Sequence, residues 1–199
     1  NNFNIWTLIE STIIANYTTA KEHGVRLTID VTHPFPSIIA SDQQHFMKIL
    51  NNLLSNAIKF TKQGHIDIKL SFDKGEIKLI VCDTGIGISK DQQQVIFERF
   101  QQADDEVARH YGGTGLGLAL VQELAKALGG KVSVESEVGV GSAFTVVIPV
   151  DDNMYPYRAT PKERKVVLVY IEDSIIEKQI IETCSILKYS VVVINSLDD

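Results

Sequence analysis

Cysteine is nearly absent from this chain: Cys82 and Cys184 are the two it has in 199 residues. They lie far apart, in unrelated apolar settings, and neither has metal-ligand spacing. That excludes a disulfide-stapled scaffold and a cysteine-based metal site, and we read both as reduced, buried thiols. Long apolar runs are missing too. No stretch approaches the roughly 20 apolar residues needed to cross a bilayer. The opening residues Asn1-Asn2-Phe3-Asn4 are polar, unlike the start of a secretory signal. Both observations concern this stretch of chain and leave room for a membrane segment elsewhere in a longer parent. An excess of basic charge is lacking as well. With 25 acidic against 19 basic residues and a net charge of −6, the chain does not look like a nucleic-acid binder. Internal repeats and low-complexity tracts are absent. What remains, 44% hydrophobic and 22% charged residues, describes a soluble globular protein. Its length suits one well-buried domain of about 150 residues plus a shorter piece.

Periodicity divides the chain into elements. The stripe Ile5, Leu8, Ile9, Ile13, Tyr17 and Ala20 predicts a helix over Ile5–Glu22, stopped by Gly24. Val25, Leu27, Ile29 and Val31 alternate with polar residues as in a half-buried strand, which His33–Ser37 (HPFPS) breaks. Asp42 is placed to cap a helix running to Lys59. Two strands follow, His65–Phe72 and Glu76–Asp83, joined by Asp73-Lys74-Gly75. Ser89 would cap a short helix through Phe97. A further helix, Leu116–Leu128, ends at Gly129-Gly130, and Lys131–Ser136 and Ser142–Val150 form a hairpin across EVGVG. Five strands joined largely by short turns, with three main helices, predict an α/β two-layer sandwich: a mixed five-stranded sheet with its helices on one face. This domain covers residues 1–150. The polar segment 151–165 holds two prolines and reads as a linker. A second unit, 166–199, begins with the apolar run VVLVYI.

Three motifs carry chemistry. On the helix Lys48–Thr61 (KILNNLLSNAIKFT), Asn52, Asn56 and Lys59 share a stripe opposite the apolar face. Such a stripe is either a solvated polar face or a pair of oxygen donors to a hard cation, with a lysine to balance phosphate charge. The turn Asp83–Ser89 (DTGIGIS) places a carboxylate at a strand end, followed by glycines. Asp83 is either an ordinary turn residue or an acceptor for an exocyclic amine, which would favour adenine over guanine. The stretch GGTGLGLAL, Gly112 to Leu120, opens an apolar helix. It is either a glycine-capped turn or a phosphate cradle, in which backbone N–H groups and the helix dipole meet the negative charge. Among the nearby cations Lys59, Lys62, Arg99 and Arg109, we read Lys62 and Arg99 as solvated surface charges.

The order NNLLSNAIKFT, DTGIGIS, IFERF and GGTGLGLAL resembles the catalytic ATP-binding domain of sensor histidine kinases, of the GHKL (Bergerat-fold) superfamily. The resemblance covers about residues 1–150. It implies that Asn52 and Asn56 hold Mg2+, that Lys59 contacts phosphate and that Phe60 flanks adenine. It further implies that Asp83 bonds the adenine amine, with Gly85 and Gly87 making room. Phe97 and Phe100 would anchor a lid over Gln101–Tyr111, from which Arg109 would reach the phosphates. Gly113, Gly115 and Gly117, with Thr114 and Leu116 between them, would form the phosphate turn. Catalysis would then fall to Asn56, Lys59 and Arg109.

One position separates branches of that superfamily. Gyrase-like and chaperone-like members carry Glu one turn before the Mg2+ asparagine, to activate water; here that position is Asn52. A carboxamide takes no proton at neutral pH, so direct hydrolysis lacks its general base. Transfer to another acceptor is the reaction left. None of His23, His33, His45, His65 and His110 lies in the SHELRTP-like box that holds the family's phosphoacceptor. His45 reads as a surface residue and His110 falls in the lid. The tail resembles the start of a response-regulator receiver, with Glu172 and Asp173 after its first strand, a helix Ile175–Leu187 and a strand Val191–Asn195: an incomplete βαβ unit. The resemblance thus implies a hybrid sensor kinase of the cytoplasm, its parent homodimeric. Its partners would be the parent's histidine-bearing dimerisation hairpin and a receiver domain or response regulator. An interaction module that senses ATP without phosphoryl transfer would carry the same binding boxes.

Overall fold

The structure, a computed structural model, describes residues 2–32, 35–36, 38–98, 116–150, 166–169 and 190–193. Its centre is a five-stranded mixed sheet. In chain order the strands are β2 (Val25–Val31), β4 (Gly64–Asp73), β5 (Glu76–Asp83), β6 (Lys131–Glu137) and β7 (Gly141–Pro149). In space they run β2-β4-β5-β7-β6. β2 and β4 are parallel and the remaining pairs antiparallel. Helix α2 (Gln43–Phe60) supplies the long crossover that a parallel pair requires. β4 and β5 instead close through the two-residue turn Lys74-Gly75, both at positive φ (49° and 76°), whose twist matches the strands it joins.

One face of the sheet is apolar and buried. Ile68, Val81 and Phe144 face one another across β4, β5 and β7, and Leu70, Leu79 and Val146 form the next row. On this face lie α1 (Ile5–Glu22), α2 and α4 (Gly117–Ala127). Phe46, Ile49, Leu50, Leu53 and Leu54 line the inner side of α2 and are essentially solvent-free. Short α3 (Lys90–Val95) sits against β6. Three of the helices start at a side-chain cap: Asn4 Oδ1 accepts from Trp6 N at 2.9 Å, Asp42 Oδ1 from His45 N at 3.0 Å and Ser89 Oγ from Gln92 N at 3.4 Å. Helix α4 starts at Leu116, which has no such cap to offer. It ends as expected, with Gly129 at φ +74° and Gly130 N bonded to Ala125 O at 2.8 Å.

The two-layer architecture, the five strands and the helices agree with the sequence reading to within a residue or two at most ends. Two short strands escaped it. β1 (Asn2–Asn4) pairs antiparallel with β3 (Ile38–Ala40), and the opposed Phe3 and Ile39 are buried. Strands of three residues are too short for a period to show. Phe3 then packs edge-on to Phe46, ring centroids 6.3 Å apart. Cys82 corrects another expectation: it is a free thiol as foreseen, but half-buried on the outer face of β5 rather than in the core. In the tail, β8 (Val166–Val169) and β9 (Ser190–Val193) pair in parallel, and β8 runs close to β2. Cys184, Glu172, Asp173 and the expected helix Ile175–Leu187 lie outside the described residues. No helix among the described residues is long and apolar enough to cross a membrane.

Candidate functional site

The three motifs meet at one end of the sandwich. Asn52, Asn56 and Lys59 are half-buried on α2, away from its apolar side. Asn52 is oriented by its own helix: Nδ2 donates to Lys48 O at 2.8 Å, which turns Oδ1 outward. Opposite it stands the first residue of α4. A methyl group on Gly117 would lie 3.1 Å from Asn52 Oδ1 and 3.7 Å from Asn56 Nδ2. The glycine motif therefore begins its helix directly over the paired carboxamides. Lys59 Nζ lies 4.8 Å from the Phe60 ring centroid, and burial pushes its pKa below the usual value. A partly desolvated ammonium gains more from an anion than a fully hydrated one would.

Asp83 reaches the same region from the sheet. It continues the parity of Ile77, Leu79 and Val81, so its side chain points to the helix side although it ends its strand. Burial pushes its pKa above the ordinary 3.8, and N–H groups of Gly85 and Ser142 pull it partly back. Gly85 N donates to Asp83 Oδ1 at 2.9 Å. A half-buried carboxylate fixed by a backbone donor from its own turn is a placed acceptor, suited to an amine on a flat base.

The glycines of the DTGIGIS turn have neighbours the sequence did not disclose. A Cβ on Gly85 would fall 2.5 Å from Phe60 O, and one on Gly87 (φ +72°) only 2.0 Å from Glu137 O. The chain's own backbone demands both glycines. Gly85 lets the turn press on the end of α2, where Ile86 N also donates to Phe60 O at 3.3 Å. Gly87 lets it press on the β6–β7 turn. Room for a ligand is thus not needed to account for them.

Phe97 packs edge-on to Phe144, centroids 6.4 Å apart, and so anchors the chain where it leaves α3. Leu116 is largely exposed at the mouth of α4. Phe100, Arg109, Gly113, Thr114 and Gly115 lie outside the described residues, as do Arg99 and the segment Gln101–Tyr111. His45 lies beside Asp42, with Nδ1 3.6 Å from Oδ2. Ser142 was missed: its N–H helps lower the pKa of Asp83, and its place opposite Asp83 follows only from strand register.

Among the described residues no three His, Cys, Asp or Glu side chains converge into a metal cage. The two carboxamides that face Gly117 suit a different arrangement, with the oxygen of Asn52 and the nitrogen of Asn56 turned toward it. Asn52 Oδ1 points away from its helix, and the missing side chain at Gly117 leaves open the space before it. Amide oxygens can fill part of an octahedral Mg2+ shell, the rest coming from phosphate and water.

The family of histidine kinase-, DNA gyrase B- and HSP90-like ATPases matches residues 41–152, more than half of the chain. The chain belongs to this family. Autoinducer 2 sensor kinase/phosphatase LuxQ of Vibrio cholerae is 42% identical over 134 residues, which are 65% of this chain and 16% of LuxQ. Signal transduction histidine-protein kinase BarA of Escherichia coli is 39% identical over 137 residues, 66% of this chain and 15% of BarA. The chain thus spans only a small part of the length of these relatives, and corresponds to their catalytic domains. Full-length ShkA, solved in complex with AMPPNP, superposes with a TM-score of 0.73 at 29% identity, covering 99% of this chain and 41% of ShkA. The catalytic domain of histidine kinase ThkA gives 0.64 at 23% identity, over 75% of this chain and 94% of that one, a likeness of fold alone.

Proposed function

We propose that this chain is the ATP-binding catalytic domain of a hybrid sensor histidine kinase. It presents the γ-phosphoryl of Mg-ATP to a histidine on a separate dimerisation hairpin of the parent. The phosphorus–oxygen bond to ADP breaks, and a bond to an imidazole nitrogen forms. The observation that carries this reading is the approach of Gly117 to both Asn52 and Asn56, which joins the two motifs into one site.

Each described residue then has a task. Asp83 accepts a hydrogen bond from the adenine amine, and Phe60 flanks the base. The carboxamide oxygens of Asn52 and Asn56 would hold Mg2+, whose positive charge would offset the negative charge of the phosphates. Lys59 adds a cation, and the N-terminus of α4 turns N–H groups toward the phosphates. Of the residues outside the described set, Arg109 would add a second cation, and Gly113, Thr114 and Gly115 the rest of the turn. Phosphoryl transfer needs positioning and charge stabilisation more than covalent chemistry from the protein. Asn52, which cannot act as a base, leaves water unactivated. A receiver domain or response regulator would take the phosphoryl group onward, and segment 166–199 would be the start of a receiver. We place this domain in the cytoplasm, in a homodimeric parent.

The test is to incubate the longer parent with γ-labelled ATP and Mg2+ and look for acid-labile, base-stable phosphohistidine. Labelling is expected, and its loss in an Asn56→Ala parent. Normal ATP binding without labelling would identify a nucleotide-sensing module instead.

A further inference from the structure

We propose that Gln93 and Ser136 are positioning residues that hold Asp83 for base selection, through a polar relay that runs from α3 across the end of the sheet. The inference rests on the reading of Asp83 as the residue that selects adenine.

Three residues stand opposite one another on adjacent strands: Asp83 on β5, Ser142 on β7 and Ser136 on β6. The Ser136 hydroxyl is at its full bonding capacity. Ser136 Oγ donates its one hydrogen to Gly141 O at 2.8 Å and accepts from Ile88 N at 2.8 Å. Its contact with Ser142 Oγ at 3.0 Å must then be a second acceptance, with Ser142 donating. One hydroxyl thus ties together the DTGIGIS turn, the start of β7 and Ser142, the residue paired with Asp83 across β5 and β7. Gln93 locks this arrangement from α3. Its Nε2 donates to Ile88 O at 2.7 Å and to Ser136 O at 2.9 Å, spending both amide hydrogens on the same two residues.

The backbone nearby has no slack. Gly141 (φ +136°) sits so close that a Cβ would fall 2.0 Å from Asp83 O. Gly139 N donates to Ile86 O at 2.8 Å. Asp83 is therefore placed by the β6–β7 turn as much as by its own strand, and that turn is held by Ser136 and Gln93. A carboxylate that reads one exocyclic amine discriminates only where it is held to hydrogen-bond tolerance. Loosening the relay should blur base choice before it unfolds the domain.

Affinities for Mg-ATP and Mg-GTP, measured by calorimetry on the 199-residue chain, test this. The wild type is expected to prefer ATP. Gln93→Ala and Ser136→Ala should each cut the ATP-over-GTP ratio by about three- to tenfold, the worth of one good hydrogen bond. The loss should fall on ATP. Ser136→Thr keeps the hydroxyl and should keep the ratio. In an Asp83→Asn background neither alanine variant should change the ratio further, because the group through which they act is gone. An unchanged ratio, an equal loss for both nucleotides, or the same loss without Asp83 would overturn the relay. Should Ser136→Ala fail to fold, the ratio for Gln93→Ala decides. A wild type with no base preference would refute the assignment of Asp83 itself, and the relay with it.

Discussion

Gly117 meets Asn52 across the helix layer, so closely that a methyl group on it would crowd Oδ1 at 3.1 Å. Because Asn52 Nδ2 is bonded to Lys48 O, the carboxamide cannot swing aside without losing that bond. The glycine's lack of a side chain therefore keeps the carboxamide oxygen open to a ligand.

Gly117→Ala should separate binding from stability. Alanine's helix preference, up to about 1 kcal/mol in a helix interior, offsets the bond Asn52 would lose in making room, so the melting temperature of the free domain should change little. Mg-ATP affinity should fall about tenfold or more, the usual cost of disturbing what surrounds a metal ligand. Thermal melts and calorimetry on one preparation check both. Undiminished affinity would mean that the two motifs do not share a ligand.

Asp83→Asn should show a stability gain beside a functional loss. The folded pKa lies above 3.8, so the folded state holds this proton more tightly than the unfolded chain does. The stability it contributes is complete below about 3.8 and is lost as pH rises through the raised value. At neutral pH the buried charge is a cost, which the amide removes. Without nucleotide the variant should melt no lower than the wild type at pH 7, with the gap closing in acid. Its preference for ATP over GTP should largely vanish, and that of the wild type should fade as pH falls through the raised pKa.

Much of this architecture was legible, and the exceptions have physical causes. Apolar positions on α2 fall at helical spacing over many turns, so its buried side and its Asn52–Asn56–Lys59 stripe could be read directly. Asp83 could have been placed more fully: its parity with Leu79 and Val81 already put it on the helix side. Gly87 and Gly141 were harder. Both exist because another strand's backbone presses on them, and such approaches are set by tertiary packing, not by local pattern. Ser136 and Gln93 were not singled out, since the bonds from Ile88 N to Ser136 and from Gln93 to Ser136 O join residues far apart in sequence.

The two positive-φ glycines of the β6–β7 turn should differ sharply when replaced. Gly141→Ala adds a side chain at φ +136° and 2.0 Å from Asp83 O, a backbone atom that cannot yield. A loss of about 3 kcal/mol or more is expected. Gly139 has φ +80° with nothing within 4 Å, so Gly139→Ala should cost only about 1–2 kcal/mol, the penalty of the left-handed conformation. Urea unfolding of the two variants measures the difference. Equal losses would show that the approach of β7 to Asp83 is looser than described.

Asn56→Ala should weaken nucleotide binding in the presence of Mg2+ far more than in EDTA, about ten- to hundredfold if it ligates the ion. His45→Ala, on the same helix, is the control. Its ring is paired with Asp42 at the far end of α2, so its removal should touch the cap and not the site. Titrations with and without Mg2+ distinguish the two, and equal effects would remove Asn56 from the metal.

The 199-residue chain by itself should neither label itself with phosphate nor turn over ATP briskly. Hydrolysis needs a base beside the attacking water, and the carboxamide of Asn52 takes no proton at neutral pH. Its amide is already committed, with Nδ2 donating to Lys48 O. The described histidines are committed as well. A His23 ring nitrogen lies 2.8 Å from Thr19 O at the end of α1, His45 pairs with Asp42, and His65 lies 3.8 Å from Asp67 Oδ2 on β4. None stands on a hairpin that could swing to a bound γ-phosphate. Supplying the parent's dimerisation hairpin as a separate protein should restore labelling weakly, because a tethered acceptor enjoys a millimolar-range effective concentration that a free one lacks. Mass spectrometry after incubation with Mg-ATP, alone and with the hairpin, reads both outcomes. Stoichiometric phosphohistidine in the isolated chain would mean that one of its five histidines is the acceptor, and that the domain is not the catalytic half of a two-part site.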